Sequence, residues 1–474
     1  MDSIRFGTDG WRGIIADDFT FPNVARVTQA IANYIIRTRG TNNKIVIGYD
    51  NRFLSDKFAQ KAAGVLAANG ISVMLSKTAV PTPVTAYMVK HTNAAGALMI
   101  TASHNPYYYN GIKFIPEYAG PAHSAITQKI EEELVKTETV QEQSFDKARK
   151  QELIQYFTAR DSYFKHLDTL INKACIKQNR PKIVVDYLHG AAIGYVDSYL
   201  ESKAQVCVIR DAKNPLFSSG NPDPRPENLT MLQQKVKATG ADIGIAFDGD
   251  GDRFGVIDDR GVYYSPNQVF TLLLPYLLKT RKLRGSVYRT VSTTHQLDRI
   301  AADYGIPVVE TPVGFKHIAK GFLYNDAIFG VEESGGMSIR GHIPEKDGIL
   351  ASMLTVEMIA QTGKTLHQLW AENCSKYGRL YFERIDMPLP PEKKRKMMEH
   401  LRSFEENWIG SHRIKKSIEI DGRKFIFDDD SWCLIRPSGT ENAVRVYLET
   451  PDMESLKTMK HKVLKWLDTI TNSK

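Results

Sequence analysis

The sequence predicts an α/β fold class, and three observations lead there. Short apolar runs that end in polar loops recur along the chain: Ile45-Val46-Ile47-Gly48-Tyr49-Asp50, Ile183-Val184-Val185-Asp186, and Ser286-Val287-Tyr288 leading into Thr290-Val291-Ser292-Thr293-Thr294. Between them lie helical periodicities, with Val24, Val27, Ile31, Tyr34 and Ile35 on one helical face. Alternation of this kind gives largely parallel or mixed sheets flanked by helices. In such sheets ligands bind beyond the carboxyl ends of the strands, so polar loops just after strands are where chemistry is sought.

The 474 residues suggest three or four domains, at roughly 100–150 residues each. A charged, helix-forming stretch over 131–160 closes a first domain, taken as 1–155, and leads into a second, 156–258. The turn Asp258-Asp259-Arg260-Gly261 opens a third, 259–374. A strand-like run over 380–387, then Pro388-Leu389-Pro390-Pro391, belongs to a fourth, 375–474. That domain ends in an amphipathic helix with Leu456, Met459, Val463, Leu467 and Ile470 on one side. Three α/β units invite the idea of structural repeats, yet no residue-level repeat is legible.

Hydrophobic residues make up 42% and charged residues 24%, as in a soluble globular protein. The most apolar stretch, 269–278, is interrupted by Pro275 and reads as a buried helix. Met1-Asp2-Ser3-Ile4-Arg5 has no apolar signal region, so a cytoplasmic location without membrane attachment is expected. Cys175, Cys207, Cys374 and Cys433 are far apart and form no CxxC pair, which favours packed, reduced thiols over disulfides or zinc. The net charge of +8 reads as surface composition, and no basic-aromatic pattern suggests nucleic acid. Lys393-Lys394-Arg395-Lys396 is expected on a solvated helix face.

Four loops carry candidate chemistry. Thr101-Ala102-Ser103-His104-Asn105-Pro106 follows an apolar run. A serine exposed at a strand end can act as nucleophile or phosphoryl carrier, although a capped turn is the commoner meaning of such a segment. No GxSxG elbow supports a hydrolase. Asp248-Gly249-Asp250-Gly251-Asp252-Arg253 also follows a strand-like run, and its glycines let three carboxylates converge on one hard cation. Magnesium is favoured over calcium there: an EF-hand needs glycine where this chain has Arg253, and a helix where it has a strand. Glu332-Glu333-Ser334-Gly335-Gly336 suits sugar hydroxyls as well as it suits a plain solvated loop. Downstream, His342 and Lys346 suit an anionic substrate or proton transfer. Arg436-Pro437-Ser438-Gly439-Thr440 offers a guanidinium, two hydroxyls and unhindered amides, equally a phosphate seat or a turn with a surface arginine. Gly7-Thr8-Asp9-Gly10-Trp11-Arg12-Gly13 is a glycine-rich loop that matches no nucleotide-binding fingerprint.

Together and in this order, the loops resemble the phosphohexomutase family, which includes phosphoglucomutases and phosphomannomutases, over nearly the whole chain. The resemblance implies four domains around a central cleft: three similar α/β domains with mixed sheets and a smaller α+β C-terminal domain. It implies that Ser103 is a phosphoserine, and that Asp248, Asp250 and Asp252 hold Mg2+ with an oxygen of that phosphoserine. Glu332 and Ser334 fall in the sugar loop, and Arg436, Ser438, Gly439 and Thr440 in the phosphate loop. Arg12, Lys113 and Arg253 match basic residues around the reacting phosphoryl group, with His104 beside the serine. Thr311-Pro312-Val313-Gly314-Phe315-Lys316-His317 matches a further substrate loop through Lys316 and His317.

The implied activity interconverts hexose 1-phosphate and hexose 6-phosphate, glucose preferred and mannose next, through a bisphosphorylated sugar. A hexose 1,6-bisphosphate is the expected activator that phosphorylates Ser103. The sequence departs from some relatives at Gly336, where they carry histidine. That leaves the general base open, with Lys113 first and Lys346 second. Two alternatives stand beside this reading. A sugar bisphosphate synthase would use the same site and release the intermediate. A non-catalytic sugar-phosphate sensor would be expected to lack at least one of the catalytic residues present here. Small-molecule sugar phosphates are the expected partners; the sequence does not give an oligomeric state.

Overall fold

The computed structural model describes residues 4–6, 10–40, 43–438 and 442–472. It contains four sheets in chain order. Three of them share one plan. In the first, Lys44–Tyr49 is flanked by Ser72–Ser76 and Gly96–Ile100, both parallel to it, and Tyr109–Pro116 runs antiparallel against Gly96–Ile100. In the second, Lys182–Asp186 lies between parallel Gln205–Ile209 and Ile243–Phe247, with Phe254–Asp258 antiparallel against the last. In the third, Ser286–Thr290 lies between parallel Val308–Thr311 and Ala327–Val331, with Met337–Ile339 antiparallel against the last. The structural repeat that no residue pattern revealed is therefore present as topology. The fourth sheet is antiparallel throughout, from Tyr381–Pro388 to Ala443–Thr450. Helices Pro391–Arg402 and Met453–Asn472 pack on it, which makes this part α+β.

Two boundaries differ from the sequence reading. The turn Asp258-Asp259-Arg260-Gly261 does not open the third unit. Asp258 accepts the backbone N–H groups of Arg260 and Val262 at 3.0 and 2.8 Å, which closes a hairpin onto Tyr263–Tyr264 in the second sheet. Strand Ile154–Phe157 pairs in parallel with Ser72–Ser76, so the first sheet runs past residue 155.

Local chemistry explains the main helices. Phe21–Arg39 begins at Thr20, whose hydroxyl accepts from the Asn23 N–H, and ends at Gly40 with φ 81°. Val24, Val27, Ile31 and Ile35 are buried on its inner face. Pro266–Arg281 opens with a reciprocal Ser265–Gln268 capping box and tolerates Pro275 within an almost wholly buried length. Gly348–Thr362 is buried from Gly348 to Ala360, mostly through apolar side chains on every side. It packs against strands of both the second and third sheets, so two domains share it as core. Asp347 caps it, accepting the Leu350 N–H at 2.9 Å. The four cysteines are free thiols. Among the described residues, no helix is long and apolar enough to cross a membrane.

The fourth domain docks on the third through Val291, Trp432, Leu434 and Tyr447, and through Lys424, whose buried ammonium donates to Val291 O at 2.8 Å and Glu310 Oε1 at 2.9 Å.

Because Gly348–Thr362 is shared, Leu354→Ala should cost about 3 kcal/mol, within the span of buried Leu→Ala changes. Urea unfolding with magnesium held constant would measure it. A loss below about 1 kcal/mol would show that the site collapses freely and is not tightly packed core.

Candidate active site

The serine loop follows Gly96–Ile100. Ser103 is buried in a left-handed backbone conformation, φ 53°, which costs energy in a non-glycine residue and must be held by its surroundings. The restraint comes from Asp50 and Arg52, at the end of Lys44–Tyr49. Thr101 Oγ1 accepts the Ser103 N–H at 2.8 Å and donates to Asp50 Oδ2 at 2.6 Å. Arg52, with no exposed side-chain surface, has its Nε 3.2 Å from that same carboxylate oxygen. Its Nη2 donates to Ser103 O and Asn105 O, each at 2.6 Å, and its Nη1 to Pro106 O at 2.7 Å and Tyr109 O at 3.0 Å. One guanidinium thus gathers four carbonyls of the loop. The sequence reading missed Asp50 and Arg52; the available signal was a charged pair directly after a buried strand.

The aspartate loop joins Ile243–Phe247 to Phe254–Asp258, and ligand atoms of Asp248, Asp250 and Asp252 lie within 4.8 Å of one another, all three residues buried. Asp248 Oδ2 accepts from Ser103 Oγ at 2.8 Å. Asp250 Oδ2 accepts from Lys113 Nζ at 2.8 Å and Thr82 Oγ1 at 2.6 Å. Asp252 Oδ2 lies 3.1 Å from Lys113 Nζ and 3.4 Å from Lys346 Nζ. Burial and the Asp250 and Asp252 charges push the Asp248 carboxyl well up. Asp250 is held low: burial opposes this, but Lys113 and Thr82 outweigh it. Asp250 Oδ1 and Asp252 Oδ1 are buried with no hydrogen-bond partner. Two orphaned carboxylate oxygens beside a third carboxylate and a serine oxygen fit a hard divalent cation. Gly249 lets the two loops touch, since a Cβ there would stand 2.5 Å from Ser103 O.

The loop that carries Glu332 and Ser334, termed the sugar loop for the hydroxyl contacts expected of it, lies between Ala327–Val331 and Met337–Ile339. Glu332 Oε1 accepts from Ser334 Oγ at 2.7 Å. Glu333 Oε2 stands 3.8 Å from Arg384 Nη1 of the fourth domain. A Cβ at Gly336 would come within 2.6 Å of Lys346 Cδ, so the glycine leaves room for the Lys346 side chain, whose Nζ lies 3.4 Å from Asp252 Oδ2. The serine, aspartate and sugar loops occupy the same place in the three repeats, joining the third parallel strand to the antiparallel fourth.

Around Ser103, Arg12 Nη1 donates to Asn105 Oδ1 at 2.7 Å, and the Arg253 N–H donates to Asp248 Oδ1 at 3.1 Å. His104 is held well below the usual imidazole range by burial and then by Arg253 and Arg12, so it is neutral at pH 7. Lys316 Nζ reaches the first domain at Ser124 Oγ, 3.0 Å away, and half-buried His317 follows it. In the fourth domain Arg436 and Ser438 are buried; Gly439 and Thr440 lie outside the described residues. Lys394 departs from its expected solvated face. It is half-buried and donates to Ser438 O at 2.6 Å, just past the strand Trp432–Pro437.

His342 does not join this group, contrary to the substrate contact expected of it. Its side chain has no exposed surface. Its Nε2 lies 3.0 Å from Asp347 Oδ2, and its Nδ1 is hydrogen-bonded to His166 Nε2 at 2.9 Å. Tyr163 donates to the same Asp347 oxygen at 2.5 Å. His342 is thus spent on fixing the loop that carries Lys346.

The phosphoglucomutase/phosphomannomutase family matches in all four parts: α/β/α domain I over residues 3–141, domain II over 161–261, domain III over 265–377 and the C-terminal domain over 390–465. The chain belongs to this family. It is 32% identical over 463 residues, 96% of each chain, to a Methanosphaera stadtmanae protein named phosphoglucosamine mutase. It is 30% identical over 459 residues to a Thermococcus kodakarensis phosphoglucomutase/phosphomannomutase, covering 95% of this chain and 96% of the relative. The crystal structure of a Thermus thermophilus protein bearing the name phosphomannomutase superposes with a TM-score of 0.86 at 32% identity, over 98% of this chain and 99% of that one.

Arg52→Lys keeps the charge but not the fork, so kcat should fall about 100-fold with KM little changed, the penalty for a nucleophile displaced by about 1 Å. Steady-state kinetics would decide, and an unchanged kcat would mean the loop holds its shape without the guanidinium. A second expectation concerns acid stability. Burial and the neighbouring His342 lower His166 to about 4. The folded protein then keeps this ring neutral where the unfolded chain protonates it. Stability present above the ordinary imidazole value should be lost as pH falls toward about 4. His166→Gln should flatten the fall in melting temperature across that window, and equal slopes would refute the assignment.

Proposed function

We propose that this protein is a magnesium-dependent hexose phosphate mutase that carries the transferred phosphoryl group on Ser103. The observation that carries the reading is Ser103 Oγ at 2.8 Å from Asp248, within a buried set of three carboxylates and beside Lys113. Held by Asp248, Asp250 and Asp252, magnesium would supply positive charge to the oxygens of the phosphoryl group in transfer.

The protein's own groups account for the remaining requirements. Phosphoserine 103 loses its phosphoryl group as the P–O bond to Oγ breaks, and a new P–O bond forms to the free hydroxyl of a sugar monophosphate. The departing Oγ takes a proton from a charged lysine, which then takes the proton of the attacking hydroxyl; Lys113 and Lys346, both beside Asp252, are the candidates. Arg12 and Arg253 offset charge on the equatorial oxygens. The bisphosphate then presents its other phosphate, which returns to Ser103. Glu332 and Ser334 hold the sugar hydroxyls, and Arg436 and Ser438 hold whichever phosphate is not reacting. A hexose 1,6-bisphosphate primes Ser103 in the first cycle.

Glucose 1-phosphate is the proposed substrate, with mannose 1-phosphate next. The relatives named phosphoglucosamine mutase support glucosamine 1-phosphate as the second reading. Turnover of all three is to be compared, with magnesium and a trace of the matching bisphosphate, in wild type and Ser103→Ala. Glucose 1-phosphate should give the highest kcat/KM, with nearly complete loss in the variant. Preference for glucosamine 1-phosphate would reassign the substrate; turnover surviving in the variant would end the phosphoserine mechanism.

A further inference from the structure

We propose that Asp421 is a positioning residue: it orients the guanidinium of Arg436 and ties the phosphate loop of the fourth domain to the substrate loop of the third. The proposal rests on the reading of Arg436 as a seat for the non-reacting phosphate.

Asp421 lies in the turn between His412–Ile418 and Arg423–Phe427. Its Oδ2 accepts from Arg436 Nε at 2.9 Å and from the Val313 N–H at 3.1 Å. One carboxylate oxygen therefore joins two loops from different domains. Val313 stands immediately before Gly314-Phe315-Lys316-His317, where the helix Phe315–Tyr324 begins. The turn is built for this contact. Gly422 has φ 84°, and a Cβ on it would fall 2.2 Å from Ile435 O and 2.8 Å from Arg436 Cα, so the turn lies directly against the base of the arginine.

Charge gives a second reason. Arg436 and Arg445 are opposite one another in the antiparallel pair, on the same face of the sheet. Like charges directly opposite repel. Each lies beside a carboxylate: Asp421 pairs with Arg436, and Asp386, which Arg384 also holds, has its Oδ1 3.2 Å from Arg445 Nε. An acceptor on Nε also fixes the plane of the guanidinium, and bidentate phosphate recognition depends on that plane.

Asp421 acts on the fourth domain's loop and not on the aspartate loop, so its loss should appear in substrate binding and leave the chemical step alone. The test measures kcat and KM for glucose 1-phosphate in wild type, Asp421→Asn, Arg436→Lys and the double variant. The expected result is a KM raised about tenfold by Asp421→Asn, the size of one charge-assisted hydrogen bond, with kcat within about twofold of wild type. In the Arg436→Lys background the same substitution should add less than about twofold, because the group it positions is gone. Asp421→Ser serves as a second variant should the asparagine disturb the turn, with the same expectation. If Arg436→Lys raises KM while Asp421→Asn does not, or if the two effects multiply, the positioning role is overturned and the phosphate reading stands. If Arg436→Lys leaves KM unchanged, the phosphate reading falls and the proposal with it.

Discussion

Three carboxylates in one buried turn repel one another. Two unit charges about 4 Å apart in a protein of effective dielectric about 20 interact by roughly 4 kcal/mol; Asp248, Asp250 and Asp252 have ligand atoms within 4.8 Å of one another, and burial with this repulsion is what pushes the Asp248 carboxyl up. The loop persists because opposing charge arrives from more than one side. Lys113 comes from the first sheet and Lys346 from the third domain, and both approach the same oxygen of Asp252. A divalent cation would supply the rest. The demand for compensation draws three domains to one point, and Ser103 stands at that point through its bond to Asp248.

Much of the candidate site was legible because most of its groups lie at or just after strand ends. Ser103 and the three aspartates stand out as polar motifs behind apolar runs, and Arg436 and Ser438 do likewise. The residues that hold these groups were not legible. Arg52 works through backbone carbonyls, Thr82 through a carboxylate far off in the chain and Asp50 through the distant Thr101 hydroxyl, and such contacts leave no spacing to read. Lys394 shows the same limit from another side. It sits in a basic run beside exposed neighbours, and only packing shows that it turns inward to Ser438.

His342 was misread because it is close in sequence to Lys346, while burial gives the two opposite tasks. Lys346 passes Gly336 toward the carboxylates, and His342 faces Asp347 and His166 on the inner side of the same segment. The fold itself was easier to read. Alternating apolar runs and periodic helices pointed to the α/β class, and the amphipathic C-terminal stretch is the helix Met453–Asn472. The domain limits shifted where a side chain set the local course, as when Asp258 closed the turn expected to open the third domain into a hairpin of the second sheet.

The shared plan of the first three sheets has a consequence for how such a protein can change. One structural slot, used three times, presents Ser103, the three aspartates and the Glu332–Ser334 segment from separate loops. Each loop is anchored by its own pair of strands, so Glu332 and Ser334 can be rewritten while Ser103 and its restraints stay untouched. Division of labour among copies of one scaffold leaves the chemistry fixed and the substrate free to vary. A single barrel or sandwich that drew all three functions from adjoining turns would find those changes coupled.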